Sequence, residues 1–129
     1  MGITTARGVF QVGFHITGTL AANANIRWTA PCDCTLLHVS AVSSNDSDAT
    51  LTVGDSDDTD EYIQSSTIGD SNVPGEFDGD DFYDTDGNQP GVYYPHIADG
   101  TVVVITLDYD GDGGTAADDF TIVLTLAEG

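Results

Sequence analysis

A strict two-residue alternation of apolar and polar side chains constrains this chain most. Phe10, Val12, Phe14 and Ile16 alternate with Gln11, Gly13, His15 and Thr17. Phe120, Ile122, Leu124 and Leu126 alternate with Thr121, Val123 and Thr125 at the other end. A strand puts successive side chains on opposite faces, so a period of two marks a half-buried strand and rules out a helix with one apolar stripe. Shorter runs repeat the pattern: Ile26 to Thr29, closed by Pro31; Leu37, Val39 and Ala41 against His38, Ser40 and Val42; Leu51 and Val53 against Thr50 and Thr52. Thr101 to Asp108 is almost continuously apolar, which predicts a strand covered on both faces. Lys is absent, and Thr, Val and Ile dominate where helix formers would be needed. Turns are expected at Gly18 with the Ala-Asn stretch 21–25, and at Ser43 to Asp48.

These strands predict an all-β chain: an antiparallel β sandwich, jelly-roll-like, with a long acidic loop region. One domain over 9–129 is expected, preceded by an N-terminal arm over 1–8. The insertion is 54–91, where Asp and Glu crowd between short apolar pieces such as Tyr62-Ile63 and Phe82-Tyr83. A loop of that length is usually functional or disordered. Its interspersed aromatics favour long loops with one or two short strands, packed on the sandwich or on a neighbouring subunit.

The charge balance is extreme. Of 129 residues, 22 are acidic and only Arg7 and Arg27 are cationic, for a formal charge of −20. Such self-repulsion destabilises a compact state in dilute buffer. At 1 M salt the Debye length shrinks to about 3 Å, and neighbouring carboxylates scarcely interact. The chain is therefore suited to brine or to divalent cations. Nucleic acid is excluded as a partner, since phosphate binding needs Lys and Arg, and anionic membranes are disfavoured for the same reason. Met1 to Phe10 has no apolar segment of the secretory type, and no run reaches the roughly 18–20 apolar residues that span a bilayer. Synthesis in the cytoplasm, where the chain stays or from which it leaves as part of an assembly, follows as the expectation.

Several motifs carry candidate chemistry. Asp108, Asp110 and Asp112, with Gly at 113 and 111 and an acid at Asp119, match positions 1, 3, 5, 6 and 12 of a calcium loop. Ca2+ is thus a candidate ligand of Asp108, Asp110, Asp112 and Asp119, although position 12 lacks the usual Glu and the flanks read as strands. The plain alternative is an Asp/Gly hairpin loop. Asp84 to Asn88 and Asp78 to Asp81 are looser versions. Cys32 and Cys34, with Asp33 between them and His38 nearby, are too few for a zinc site and are expected as small buried side chains at the start of a strand. His15, His38 and His96 are far apart, and no G-x-S-x-G is present. No cofactor is required, and the chain is expected not to be an enzyme. Arg7 and Arg27 are candidate anchors for carboxylates across a subunit interface or within the core; Arg27 has the alternative of stacking on Trp28.

The layout of Phe14 to Leu20, Ile26 to Pro31, Cys34 to Val42, Ala49 to Gly54 and the closing pair 101–107 and 120–126 resembles that of small jelly-roll capsid decoration (cement) proteins of tailed viruses. The resemblance implies a virion structural protein on the outer surface of the capsid. Its partners would be the major capsid protein and its own copies, as a homo-trimer, with Arg7 and Arg27 as capsid or subunit contacts and no contact to nucleic acid or membrane. With the lysine-free acidic composition it also implies a halophilic host, an archaeon. Two alternatives of other kinds stand beside it: an extracellular calcium- or carbohydrate-binding β module, and a tail or fibre jelly-roll domain.

Overall fold

Alternating sequence becomes alternating burial in every long strand. The computed structural model describes residues 8–129. Its strands are β1 (Val9–Thr19), β2 (Ala24–Thr29), β3 (Cys34–Val42), β4 (Thr50–Asp55), β5 (Ile63–Thr67), β6 (Gly75–Phe77), β7 (His96–Ile97), β8 (Val102–Asp108) and β9 (Asp118–Glu128). The described residues form no helix.

Two sheets result. One runs β1-β9-β3-β6, with β7 also on β3; the other runs β2-β8-β4-β5. All strand pairs are antiparallel. Early and late strands interleave in both sheets, as in the two Greek keys of a jelly roll. β6 pairs with Val39 to Ala41 and β7 with Cys34 and Thr35, so both lie along one edge of β3. The acidic segment 78–95 separates them. The chain thus closes this sheet with a broken strand, and β5 and β6 are short strands within 54–91, where one or two were expected.

The core fills the space between the sheets. Leu36, Val39 and Ala41 of β3, Leu51 and Val53 of β4, and Phe120, Ile122, Leu124 and Leu126 of β9 are fully buried. Tyr62, Phe77 and Phe82 from the acidic region join them, so its aromatics pack on the sandwich. Burial of this kind stabilises by about 25 cal/mol per Å² of apolar surface removed from water.

Three details differ from the sequence reading. A bulge between Leu36 and His38 reverses the phase of β3, so Leu36 is buried and Leu37 faces outward; an extra residue in one strand shifts every later side chain to the other face. In β8 only Val104, between Arg27 and Gly54 on the adjacent strands, is buried on the outward side; Val102 and Thr106 are half-open. β1 continues through Gly18 to Thr19 with a register shift beyond Ile16, and the turn is confined to 20–23.

The loops gather at the two ends of the sandwich. At one end the β3–β4 loop bonds to the β8–β9 loop (Asp48 N to Thr115 O, 2.9 Å) and to the β5–β6 loop (Ser47 N to Gly69 O, 2.9 Å). At the other, the β2–β3 turn meets the β7–β8 turn (Ala30 N to Thr101 O, 2.9 Å), and the β4–β5 loop meets segment 78–95 (Tyr83 N to Tyr62 O, 3.1 Å).

Candidate functional site

The acids stand almost entirely in these end loops and at strand termini; Glu76, in the middle of β6, is the exception. Many of them shape their own loops. The Asp55 carboxylate accepts from the backbone N–H of Asp57 (2.9 Å) and Asp58 (2.8 Å). Asp84 accepts from Asp86 and Asn88, each at 2.9 Å, and Asp78 accepts from Asp80 at 3.1 Å. These are Asx-type turns, in which a short carboxylate replaces a backbone acceptor.

The calcium-like segment follows the same logic. Asp108 ends β8 opposite Thr50. Asp110 accepts from the Asp112 N–H at 3.1 Å, and backbone donation, first from Gly113, holds its carboxyl below the usual range. Gly111, at φ +61°, lies so close to Asp48 that a Cβ would collide with the Asp48 carbonyl oxygen. Asp48 also accepts from the Thr115 N–H at 2.7 Å. Asp119 is engaged elsewhere. Its carboxylate accepts from Gly18 N–H (2.7 Å) and Ser44 Oγ (2.9 Å), and these bonds lower its pKa. It thereby ties β1 and the β3–β4 loop to the start of β9. Among the described residues no three His, Cys, Asp or Glu side chains are grouped as a metal site requires. The segment is not the hairpin expected from the sequence either: β8 and β9 belong to different sheets, so 109–117 crosses between the sheets, and Asp119, already inside β9, bonds to Gly18 and Ser44 rather than toward Asp110.

The remaining candidates are also separate. His15 Nδ1 lies 2.6 Å from Thr121 Oγ1. His38 Nε2 lies 3.6 Å from Glu76 Oε1. Cys32 and Cys34 are free thiols, and burial raises that of Cys34 to about 11. Arg27 is exposed, and its Nη1 donates to Asn25 Oδ1 at 2.8 Å. Trp28, the next residue on the strand, points to the opposite face and packs on Phe10 with ring centroids 6.3 Å apart, so stacking of Arg27 on Trp28 is geometrically excluded. Arg7 and nearly all of the N-terminal arm lie outside the described residues.

A cleft of about 250 Å³ lies at the end that carries segment 78–95. It is lined by Asp55, Glu61, Tyr62, Tyr83, Tyr93 and His96, among others. Burial, and then a hydrogen bond with Asp55, raises the Glu61 pKa. A second cleft of about 220 Å³ is lined by Ser47, Thr67 to Asp70 and Val73 to Gly75. Neither contains a nucleophile beside a base, the minimum for covalent catalysis.

The sequence carries one further signal that motif spacing does not reveal. No acid precedes Asp33, and both arginines do. The fold places β1 and β2, which make up most of the described part of this stretch, along one side of the sandwich.

Comparison with known proteins supports the fold. A chain of the cyanophage Pam1 capsid asymmetric unit superposes with a TM-score of 0.54 at 17% identity, covering 100% of this chain and 89% of that one. At that identity the likeness is one of architecture. No family model matches the sequence, and no curated protein matches it.

Proposed function

We propose that the protein is a non-enzymatic structural component of a tailed-virus particle that decorates the outside of the capsid. The observation that carries this reading is the likeness in fold, over the whole chain, to a chain of a phage capsid asymmetric unit. The side-chain inventory is consistent with it: the carboxylates fold loops, the histidines stand apart, and the clefts hold no reacting pair. Decoration works by multivalency: many weak contacts, fixed in geometry by the shell, add to an avidity that no single contact supplies. The partners are the major capsid protein and neighbouring copies of this chain. A surface with 22 acids and no Lys suits a particle that lives in concentrated salt.

The test is made on particles of the source virus banded by density. An antibody raised against the purified protein should detect it at many copies per particle and label intact heads from outside. Absence from banded particles, or label restricted to tails, refutes the proposal.

A further inference from the structure

The two sides of the sandwich are built differently. One side ends in β5, β6 and β7, strands of five, three and two residues. The acidic loops 55–61 and 78–86 flank them. Short strands and adjacent charges are how soluble proteins keep a sheet edge from pairing with another chain. The other side ends in β1 and β2. β1 is 11 residues long and contains no acid, no Lys and no Pro; among the described residues it pairs only with β9. Among the described residues β2 pairs only with β8, and it contains Arg27 as its one charge.

The core is also less closed there. The inward-facing Phe10, Val12, Phe14, Ile16, Ile26 and Trp28 pack against the core but stay half-buried. Their counterparts on β9, from Phe120 to Leu126, are completely buried. A half-open apolar row between two unpaired strand edges is an incomplete surface.

We propose that this β1/β2 side is the surface through which copies of this chain associate. Charge selects the occupant. Two bodies of −20 repel over their acidic ends, and without Lys neither offers a complementary basic patch. Copies can approach closely only where acids are missing, which is this side. A basic partner would instead be drawn to the ends. An uncharged strand edge is also complementary to an identical edge, because antiparallel pairing satisfies the free N–H and C=O groups of both. Association of this kind strengthens as salt screens the residual repulsion, whereas an interface held by ion pairs weakens. The inference names the surface for the copy-to-copy contact of the decoration reading, but it is argued from charge and strand edges and can fail separately from that reading. Purified protein tests it, and a protein absent from capsids would still associate.

Sedimentation velocity of the full chain in low salt and in molar KCl reads the outcome. The wild type should sediment as at least two copies in molar KCl and dissociate as salt falls. Gln11→Glu combined with Arg27→Glu places acids at exposed positions of both edges and should weaken association at least about tenfold. Ser65→Glu with Thr67→Glu, on the opposite edge at β5, should leave it unchanged. Amide hydrogen exchange on the wild type gives a reading independent of any variant: protection in β1 and β2 should rise with protein concentration. A wild type that stays monomeric in molar KCl overturns the proposal. So does an assembly that loosens as salt rises, one broken by the β5 pair but not by the β1/β2 pair, or exchange in β1 and β2 that is independent of concentration.

Discussion

Gly54 fixes the acidic turn 55–62 against β4, and its replacement by alanine gives a prediction whose size follows from the geometry. Gly54 sits within β4, where the chain folds back tightly: a Cβ there would overlap the Asp58 carbonyl oxygen and lie 2.7 Å from Glu61 N. Ordinary contact is about 3.5 Å, so the turn must lift by about an ångström. Three backbone hydrogen bonds close that turn: Asp55 N to Asp58 O (2.9 Å), Glu61 N to Asp58 O (3.2 Å) and Tyr62 N to Val53 O (2.9 Å). Each is worth about 1 kcal/mol net. If they hold, the strain of overpacking costs about 1–3 kcal/mol instead. The two routes together bracket the loss from Gly54→Ala at about 1–3 kcal/mol. With an unfolding entropy of about 2.1 cal/mol/K per residue over 129 residues, Tm falls by roughly 4–11 °C. Gly13→Ala is the matched control. Its Cβ would meet nothing nearer than 3.7 Å, and the strand should gain up to about 1 kcal/mol. Calorimetry of both variants in molar KCl measures the difference. A Gly54→Ala protein melting within about 2 °C of wild type would show that the turn does not close over β4.

Calcium should be no better than salt: with Asp119 bonded to Gly18 and Ser44, millimolar CaCl2 is expected to raise Tm no more than MgCl2 of equal ionic strength, and a larger, saturable rise would mean that the Asp108–Asp119 loop closes around an ion. The pH dependence should bend. Backbone donation from Gly113 depresses Asp110, and donation from Gly18 depresses Asp119, so their stabilisation is complete above the ordinary Asp range and disappears as pH falls through their lowered values. Asp60, raised by its hydrogen bond with Asp58, and Glu61, raised by burial and then Asp55, disfavour the fold when ionised, so protonating them adds stability. Tm should therefore rise modestly from neutral pH toward the ordinary carboxylate range near about 4 and drop below it, and Asp119→Asn should flatten the acid limb. Cys34, fully buried with its thiol raised to about 11, should resist Ellman's reagent until the chain unfolds, while the half-buried Cys32 reacts slowly in the native protein; fast labelling of both would contradict the packing at the start of β3.

The strands were legible because their signal is local. Phe120 to Leu126 face inward as the alternation requires, and so do Leu51 and Val53. The pairing of strands across the whole chain is decided by which edges meet, and a period of two contains no information on that. The β3 phase could not be read because a bulge leaves no mark in an apolar pair such as Leu36-Leu37. β7 escaped notice for a similar reason. Two residues have no period, and His96-Ile97 is a strand only because β3 presents Cys34 and Thr35 to it.

The candidate site shows the reverse relation. Motif spacing drew attention to the acids at 108, 110, 112 and 119, but spacing guarantees convergence only when the intervening chain wraps. Here the chain crosses from one sheet to the other, and the Asp110 and Asp119 carboxylates accept from backbone donors instead. The more informative property was an absence. In a chain where about one residue in six is acidic, 32 residues without an acid are a departure that needs a cause. Solubility in brine would be served by acids on β1 as well as anywhere else, since its outward positions are exposed and tolerant. Strand interiors elsewhere are nearly acid-free as well, Glu76 excepted, but among the described residues only β1 and β2 also lack acids at the turn that joins them, 20–23, and this calls for a constraint on that side. Burial against another anionic surface is such a constraint, because there a carboxylate is both desolvated and repelled.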